Sequence, residues 1–253
     1  MGGIGIRIEN LRKKLGRNQS LDGVSLDFTP RTLHGLIGPE GSGKTTLLRH
    51  VIGLLRADEG RILYYDGRKE LGLEELRPSM AYMSQMQSLY ADLSVAEHLD
   101  FFRDLYRIPP ETYTRRRAEL LHMTRMEPFQ GRLAGQLSGG MYKKLGLMCA
   151  LLQSPSVLML DEPTTGVDPI SRREFWDLIY GLLKSEVLVI ITTAYMDEAE
   201  RCGQVHLIEA GKLLAQGSPR EVLTRNRVST FEELFLRQDR KRMGTESKDR
   251  RAV

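Results

Sequence analysis

The sequence predicts an α/β protein built on a mainly parallel sheet, and three observations carry that prediction. An apolar run, Leu33 to Ile37, enters a glycine-rich loop that opens straight into a helical pattern. From Val157 onward, apolar strand runs alternate with helical stretches, as expected of a parallel sheet covered on both faces. Between these two parts, residues 88–153 carry helical patterns alone, which predicts an all-helical insert.

The elements follow in order. Residues 4–37 read as strands, since Ile4-Gly5-Ile6-Arg7-Ile8 and Val24-Ser25-Leu26-Asp27-Phe28 both alternate. A helix is expected from about Lys44, with Leu47, Leu48, Val51, Ile52 and Leu55 forming one buried stripe. A hairpin-like stretch at Arg61 to Asp66 and a strand from Met80 to Met83 come next. In the insert, Ser94 followed by Glu97 has the pattern of a capping box, and Pro109-Pro110 breaks the helix it starts. A basic amphipathic helix is expected from Glu111 to Met126. Beyond it lie a strand at Val157–Leu160, a helix from Ile170 to Leu183, a strand at Glu186–Thr192, a short helix near Met196–Arg201 and a strand at Val205–Glu209.

Composition narrows the class. The chain has 253 residues, 41% apolar and 28% charged, ordinary values for a globular domain. No apolar run approaches the ~20 residues that cross a bilayer, so any membrane role is expected to be peripheral. The cysteines, Cys149 and Cys202, lack metal-site spacing and read as free thiols. The net charge of +4 is uneven, because residues 238–253 hold six basic and three acidic side chains. That tail has almost no apolar residues and reads as disordered and basic.

The glycine-rich loop is Gly38-Pro39-Glu40-Gly41-Ser42-Gly43-Lys44-Thr45, with Thr46 after it. Its place between a strand and a helix is the context that a phosphate loop requires. Glycines let backbone N–H groups converge on phosphate oxygens, and the helix N-terminus adds positive potential. Lys44 is expected to reach the β- and γ-phosphates, and the Thr45 hydroxyl to ligate Mg²⁺. Val157 to Leu160 then reads as a buried strand delivering Asp161 and Glu162 to its C-terminal end, where ligands bind in open α/β sheets. Asp161 would hold Mg²⁺ through water, and Glu162 would orient or deprotonate an attacking water. Leu137-Ser138-Gly139-Gly140-Met141 forms a second helix start, with Ser138 as cap and two glycines exposing N–H groups. The phosphate loop already serves its own helix, so this second anion site needs a phosphate from elsewhere.

Together these motifs resemble the ATP-binding cassette (ABC) family over about residues 4–238. The resemblance implies an ABC cassette of the phosphate-loop NTPase fold, a mainly parallel sheet with an antiparallel β subdomain and an all-helical insert. It implies one ATP-binding domain over 1–237, with its core at 1–87 and 154–237, its insert at 88–153, and the tail at 238–253. The cofactors implied are ATP and Mg²⁺. Gln85 matches the family's Q-loop glutamine, a Mg²⁺ and water contact and so a catalytic and metal residue beside Lys44 and Glu162. Ser138, Gly139 and Gly140 match the signature that binds the partner cassette's ATP. Gly166-Val167-Asp168 matches the D-loop.

Gly166 to Glu174, Tyr195 to Glu200 and Phe231 to Phe235 are similar to type-2 exporter subunits of the multidrug and sodium efflux group, especially the first cassette of tandem exporters. The implied partners are an integral-membrane permease and a second cassette, same or different, at the cytoplasmic face of the cell membrane, with no nucleic acid. Two positions depart from the pattern. Leu15 stands where the family places an aromatic against adenine, and Ala194 stands where it places a histidine against the γ-phosphate. None of His34, His50, His98, His122 and His206 falls in that second segment; each reads as a surface or packing residue. Besides a transport ATPase, a regulatory cassette with an impaired site and an ABC ATPase acting on ribosomes or DNA fit the motifs.

Overall fold

The computed structural model describes residues 3–86, 89–183 and 186–237, so the basic tail lies outside the described residues. The N-terminal part is an antiparallel sheet of β1 (Ile4–Leu15), β2 (Asn18–Phe28), β4 (Glu59–Asp66) and β5 (Lys69–Leu71), in the order β2-β1-β4-β5. β1 and β2 run well past the alternating stretches expected from sequence. Gly16 at φ 60° makes the tight turn between them, and register shifts accommodate Leu11 to Lys14. The stretch at Arg61 to Asp66 is one strand, not a hairpin; its hairpin partner is β5, reached through Gly67 at φ 59°.

The main sheet joins β3 (Leu33–Ile37), β6 (Met80–Met83), β7 (Val157–Asp161), β8 (Leu188–Thr193), β9 (Gln204–Glu209) and β10 (Lys212–Gly217), in the order β10-β9-β3-β8-β7-β6. All pairs are parallel except β9 with β10. Its central strands are apolar at nearly every position because both faces are covered. Leu36, Met159, Ile190 and Ile208 enter a core shared with the antiparallel sheet and α1 (Lys44–Val51). Ile37, Leu158, Leu160, Val189, Ile191 and Leu207 enter a second core under the helices on the other side.

Helices occupy the expected places with different ends. α1 stops at Val51, because Gly53 at φ 76° closes it, so Leu55 lies beyond the helix. α2 (Leu73–Leu76) is a single turn before β6. Between β6 and β7 the described residues carry α3 (Val95–Tyr106), α4 (Pro110–Thr124) and α5 (Gly139–Leu151), with short 3₁₀ turns. The Ser94–Glu97 capping box starts α3, and Pro110 begins α4 at the first position, where its missing N–H costs nothing. α6 (Pro169–Leu182) follows β7, and Met196–Arg201 is 3₁₀ rather than α-helical. β10 and α7 (Pro219–Asn226) were not expected; a Ser218–Glu221 capping box starts α7. Both cysteines are buried free thiols.

β3 and β9 also place two buried imidazoles together. His34 Nε2 lies 3.0 Å from the Thr29 carbonyl, so it carries the proton and Nδ1 is the acceptor. His206 Nε2, 3.0 Å from His34 Nδ1, then donates. Phe28 packs edge-on against both rings. Burial pushes His34 down to about 4 and His206 lower still. The unfolded chain, with ordinary imidazoles near 6.5, therefore binds more protons than the folded one between about pH 6.5 and 4. Stability from this pair is complete above 6.5 and is lost as pH falls. The drop in melting temperature between pH 7 and pH 5 should be smaller for His34→Gln/His206→Gln than for the parent; equal drops would refute this.

Candidate nucleotide site

Four parallel strands end side by side at one edge of the main sheet. Register pairs Ile37 with Thr193, Asp161 with Thr192, and Leu160 with Met83. Gly38, Ala194, Glu162 and Gln85 therefore leave the sheet along that edge, the position where open α/β sheets bind ligands. A cavity of about 340 Å³ lies there, lined by residues 40–46 with Ser20, Gln85 and Glu162.

The loop from Gly38 to Thr45 is built to present backbone. Gly41 and Gly43 have φ of 72° and 107°, conformations that a side chain disfavours. A Cβ at Gly38 would fall on the Ile208 carbonyl. Ser42 Oγ is buried with no hydrogen-bond partner among the described residues, and such an atom calls for a ligand. Lys44 Nζ donates to the carbonyls of Gly38 (2.7 Å) and Pro39 (2.9 Å) and lies 3.5 Å from Glu162 Oε1. Burial lowers its pKa, and Glu162 opposes that shift. Pro39, Glu40 and Gly41 are exposed on the rim. Thr46 hydrogen-bonds the Ser20 hydroxyl at 2.8 Å.

Asp161 is fully buried and takes hydroxyl hydrogen bonds from Thr45 (3.0 Å), Thr192 (2.6 Å) and Tyr82 (2.8 Å). Burial, and then the Asp161 carboxylate, push the Tyr82 phenol well above its usual range. Glu162 has φ 46°, uncommon for a non-glycine residue. Its N–H donates to Thr192 Oγ1 at 2.9 Å, and its Oε2 accepts from Gln85 (2.9 Å) and Thr165 (3.3 Å). Of the three residues expected on the metal, Thr45 and Asp161 touch, whereas Gln85 meets Glu162. Hydroxyl, carboxylate and amide oxygens are hard donors that fit Mg²⁺.

Ser138, Gly139 and Gly140 do not line this cavity. Ser138 caps α5 through the Met141 N–H (3.3 Å), and Ser138 and Gly139 are exposed. A Cβ at Gly140 would overlap Ser171 at the start of α6, so the motif packs on the 166–171 turn. Asp168 caps α6 through the N–H groups of Ile170 and Ser171.

The family profile described as ABC transporter matches residues 21–165. The chain belongs to the ABC transporter family. It is 47% identical over 188 residues to the "Probable multidrug ABC transporter ATP-binding protein YbhF" of Escherichia coli (strain K12), covering 74% of this chain and 32% of that protein. It is 35% identical over 220 residues to the Nod factor export ATP-binding protein I of Ralstonia nicotianae, covering 87% and 68%. A solved structure of an ATP-binding subunit of an ABC transporter matches with a TM-score of 0.79 and 25% identity, covering 92% of this chain and 98% of that one. The chain thus spans about a third of the length of the first relative.

In this cassette Ala194 follows β8 directly and offers no polar side chain, and Leu15, at the end of β1, is 44% exposed. Sequence reasoning missed Tyr82, Thr192 and Thr165, which hold the two carboxylates, and Lys143, whose Nζ lies 3.4 Å from the Gln85 carbonyl. A hydroxyl at each strand end was the available signal, although hydroxyls are common there. Lys44→Ala should remove ATP-dependent thermal stabilisation, which for a ligand at 100 times its Kd amounts to ~2.7 kcal/mol. An undiminished ATP-induced shift in that variant would refute the assignment.

Proposed function

We propose that this cassette binds ATP and Mg²⁺ and hydrolyses ATP to drive a separate membrane permease, in an exporter at the cytoplasmic face of the cell membrane. The observation that carries this reading is the split of the site. The phosphate loop, Gln85 and Glu162 line one cavity, and Ser138, Gly139 and Gly140 are not part of its lining. A second cassette would supply the missing helix end, and this chain would return Ser138, Gly139 and Gly140 to the partner's ATP. The names of the relatives, multidrug and Nod factor export, support the exporter assignment. Residues 1–237 would act as one ATP-binding domain.

Among the described residues no helix is long and apolar enough to cross a membrane, which is in keeping with a separate permease. The surface for that permease would lie beside Gln85 and α3. Met86, Tyr90, Phe101 and Leu105 are exposed there, Met86 by 79%, and Tyr90 and Phe101 pack edge to face. Exposed aromatic and apolar groups of this kind mark interaction sites.

Ala194 supports a second reading, in which this chain's own site turns over slowly and an intact partner site carries the flux. Removing one positioned polar group costs ~10²–10⁴ in rate, while the backbone cradle and Lys44 keep the nucleotide.

Glu162→Gln should trap the ATP-bound pair by blocking hydrolysis. Gel filtration of that variant with ATP, alone and with a candidate partner cassette, should show a dimer in at least one mixture; monomers in both would sink the composite site. Ala194→His should raise the steady-state ATPase rate of the assembled pair at least tenfold, ~1.4 kcal/mol of barrier, with the partner's own site silenced. A rate equal to the parent's would move the regulatory reading to first place.

A further inference from the structure

Glu198 is completely buried, yet it belongs to none of the phosphate-binding motifs. Its Oε1 accepts three hydrogen bonds: from Thr164 Oγ1 at 2.8 Å, Arg172 Nε at 2.7 Å and Trp176 Nε1 at 3.0 Å. Its Oε2 is buried and has no partner among the described residues. A carboxylate free to optimise its own bonding would divide the donors between its oxygens. The crowding of one oxygen shows that the three donors are fixed by their elements and that Glu198 ties those elements together.

These elements all border the nucleotide site. Thr164 sits in the turn directly after Glu162, and its neighbour Thr165 bonds Glu162 through both its hydroxyl and its N–H. Arg172 lies one residue beyond Ser171, on which Gly140 of the signature turn packs. Its second arm grips both oxygens of Asp197 at 2.9 Å, and its guanidinium covers the Tyr195 ring at 4.5 Å, next to Ala194. The fork thus joins the start of α6 to the segment after β8.

The turn needs such a restraint. Glu162 holds a left-handed backbone conformation without being glycine, a strained state that persists only where its surroundings enforce it. We infer that Glu198 and Arg172 are positioning residues: through Thr164 they hold the turn that aims Glu162 into the nucleotide cavity. The inference rests on the hydrolytic reading of Glu162 given above. Because Arg172 follows the residue under Gly140, the arrangement also links the signature turn of this chain to its own hydrolytic carboxylate.

Two measurements on the full chain test this. Hydrogen–deuterium exchange without nucleotide should be at least tenfold faster across residues 160–167 in Thr164→Val, and unchanged in Thr164→Ser, which keeps the hydroxyl. In single-turnover ATP hydrolysis by the assembled pair, with the partner's own site silenced, Thr164→Val, Glu198→Gln and Arg172→Lys should each lose at least tenfold in rate, with the ATP concentration for half-maximal rate changed less than twofold. Lysine lacks the fork that reaches Asp197 and Glu198 together. Thr164→Ser should keep the parental rate. Pairing Thr164→Val with Glu198→Gln should cost no more than the worse single change, since both break one link. Thr164→Val, the mildest change, keeps the test open if removing the buried charge prevents folding. Unaltered exchange, or parental rates in folded Thr164→Val, would overturn the inference alone. An assembled parental pair that turns over no ATP with the partner's own site silenced, or whose turnover survives Glu162→Gln, would overturn the hydrolytic reading and this inference with it.

Discussion

The buried carboxylate of Asp161 is the constraint on which the site depends. Burying an ionised carboxylate is costly unless donors replace the lost water. Here three hydroxyls do so, Thr45 from α1, Thr192 from β8 and Tyr82 from β6. Each comes from a different element, so satisfying one charge fixes the relative placement of the phosphate-loop helix and three strands. Thr192 acts twice, donating to Asp161 and accepting from the Glu162 N–H. The geometry of Glu162 is thereby a by-product of solvating its neighbour.

Much of this could be read from the chain. The strand–loop–helix order around Lys44, the apolar run before Asp161 and the Ser138 cap are local patterns, and local patterns survive without knowledge of the fold. The limits of α1 were misjudged because the apolar stripe continues to Leu55 after Gly53 has already turned the chain. β10 escaped because Lys212 to Gly217 does not alternate in sequence, whereas α7 carried a legible signal that was passed over, the Ser218–Glu221 capping box with Pro219 at the first helical position. The hydroxyl donors to Asp161 are separated from it by 31, 79 and 116 positions, a pairing that only the sheet order creates. Glu198 was legible only as part of a family likeness; nothing about a lone glutamate in a short helical stretch announces a fully buried hub.

On the proposed function, binding and hydrolysis would draw on different physics in this site, which would explain how Ala194 can stand beside the phosphate loop, Asp161 and Glu162. Phosphate binding, as proposed, would rely on backbone N–H groups fixed by Gly41 and Gly43 and on the N-terminus of α1. Hydrolysis, as proposed, would rely on side chains projecting into the cavity, and a half-buried residue just past the end of β8 contributes little to either core. On that reading, exchanging a side chain there would remove a donor without opening a packing defect, so the cassette would lose rate while keeping its shape and its nucleotide. Glu162 is different. Its left-handed backbone is maintained by Thr192 on one side and by the Thr164–Glu198–Arg172 connection on the other. A chain released from hydrolysis would gain by relaxing that turn, and its retention is the physical ground for reading the carboxylate as still in use.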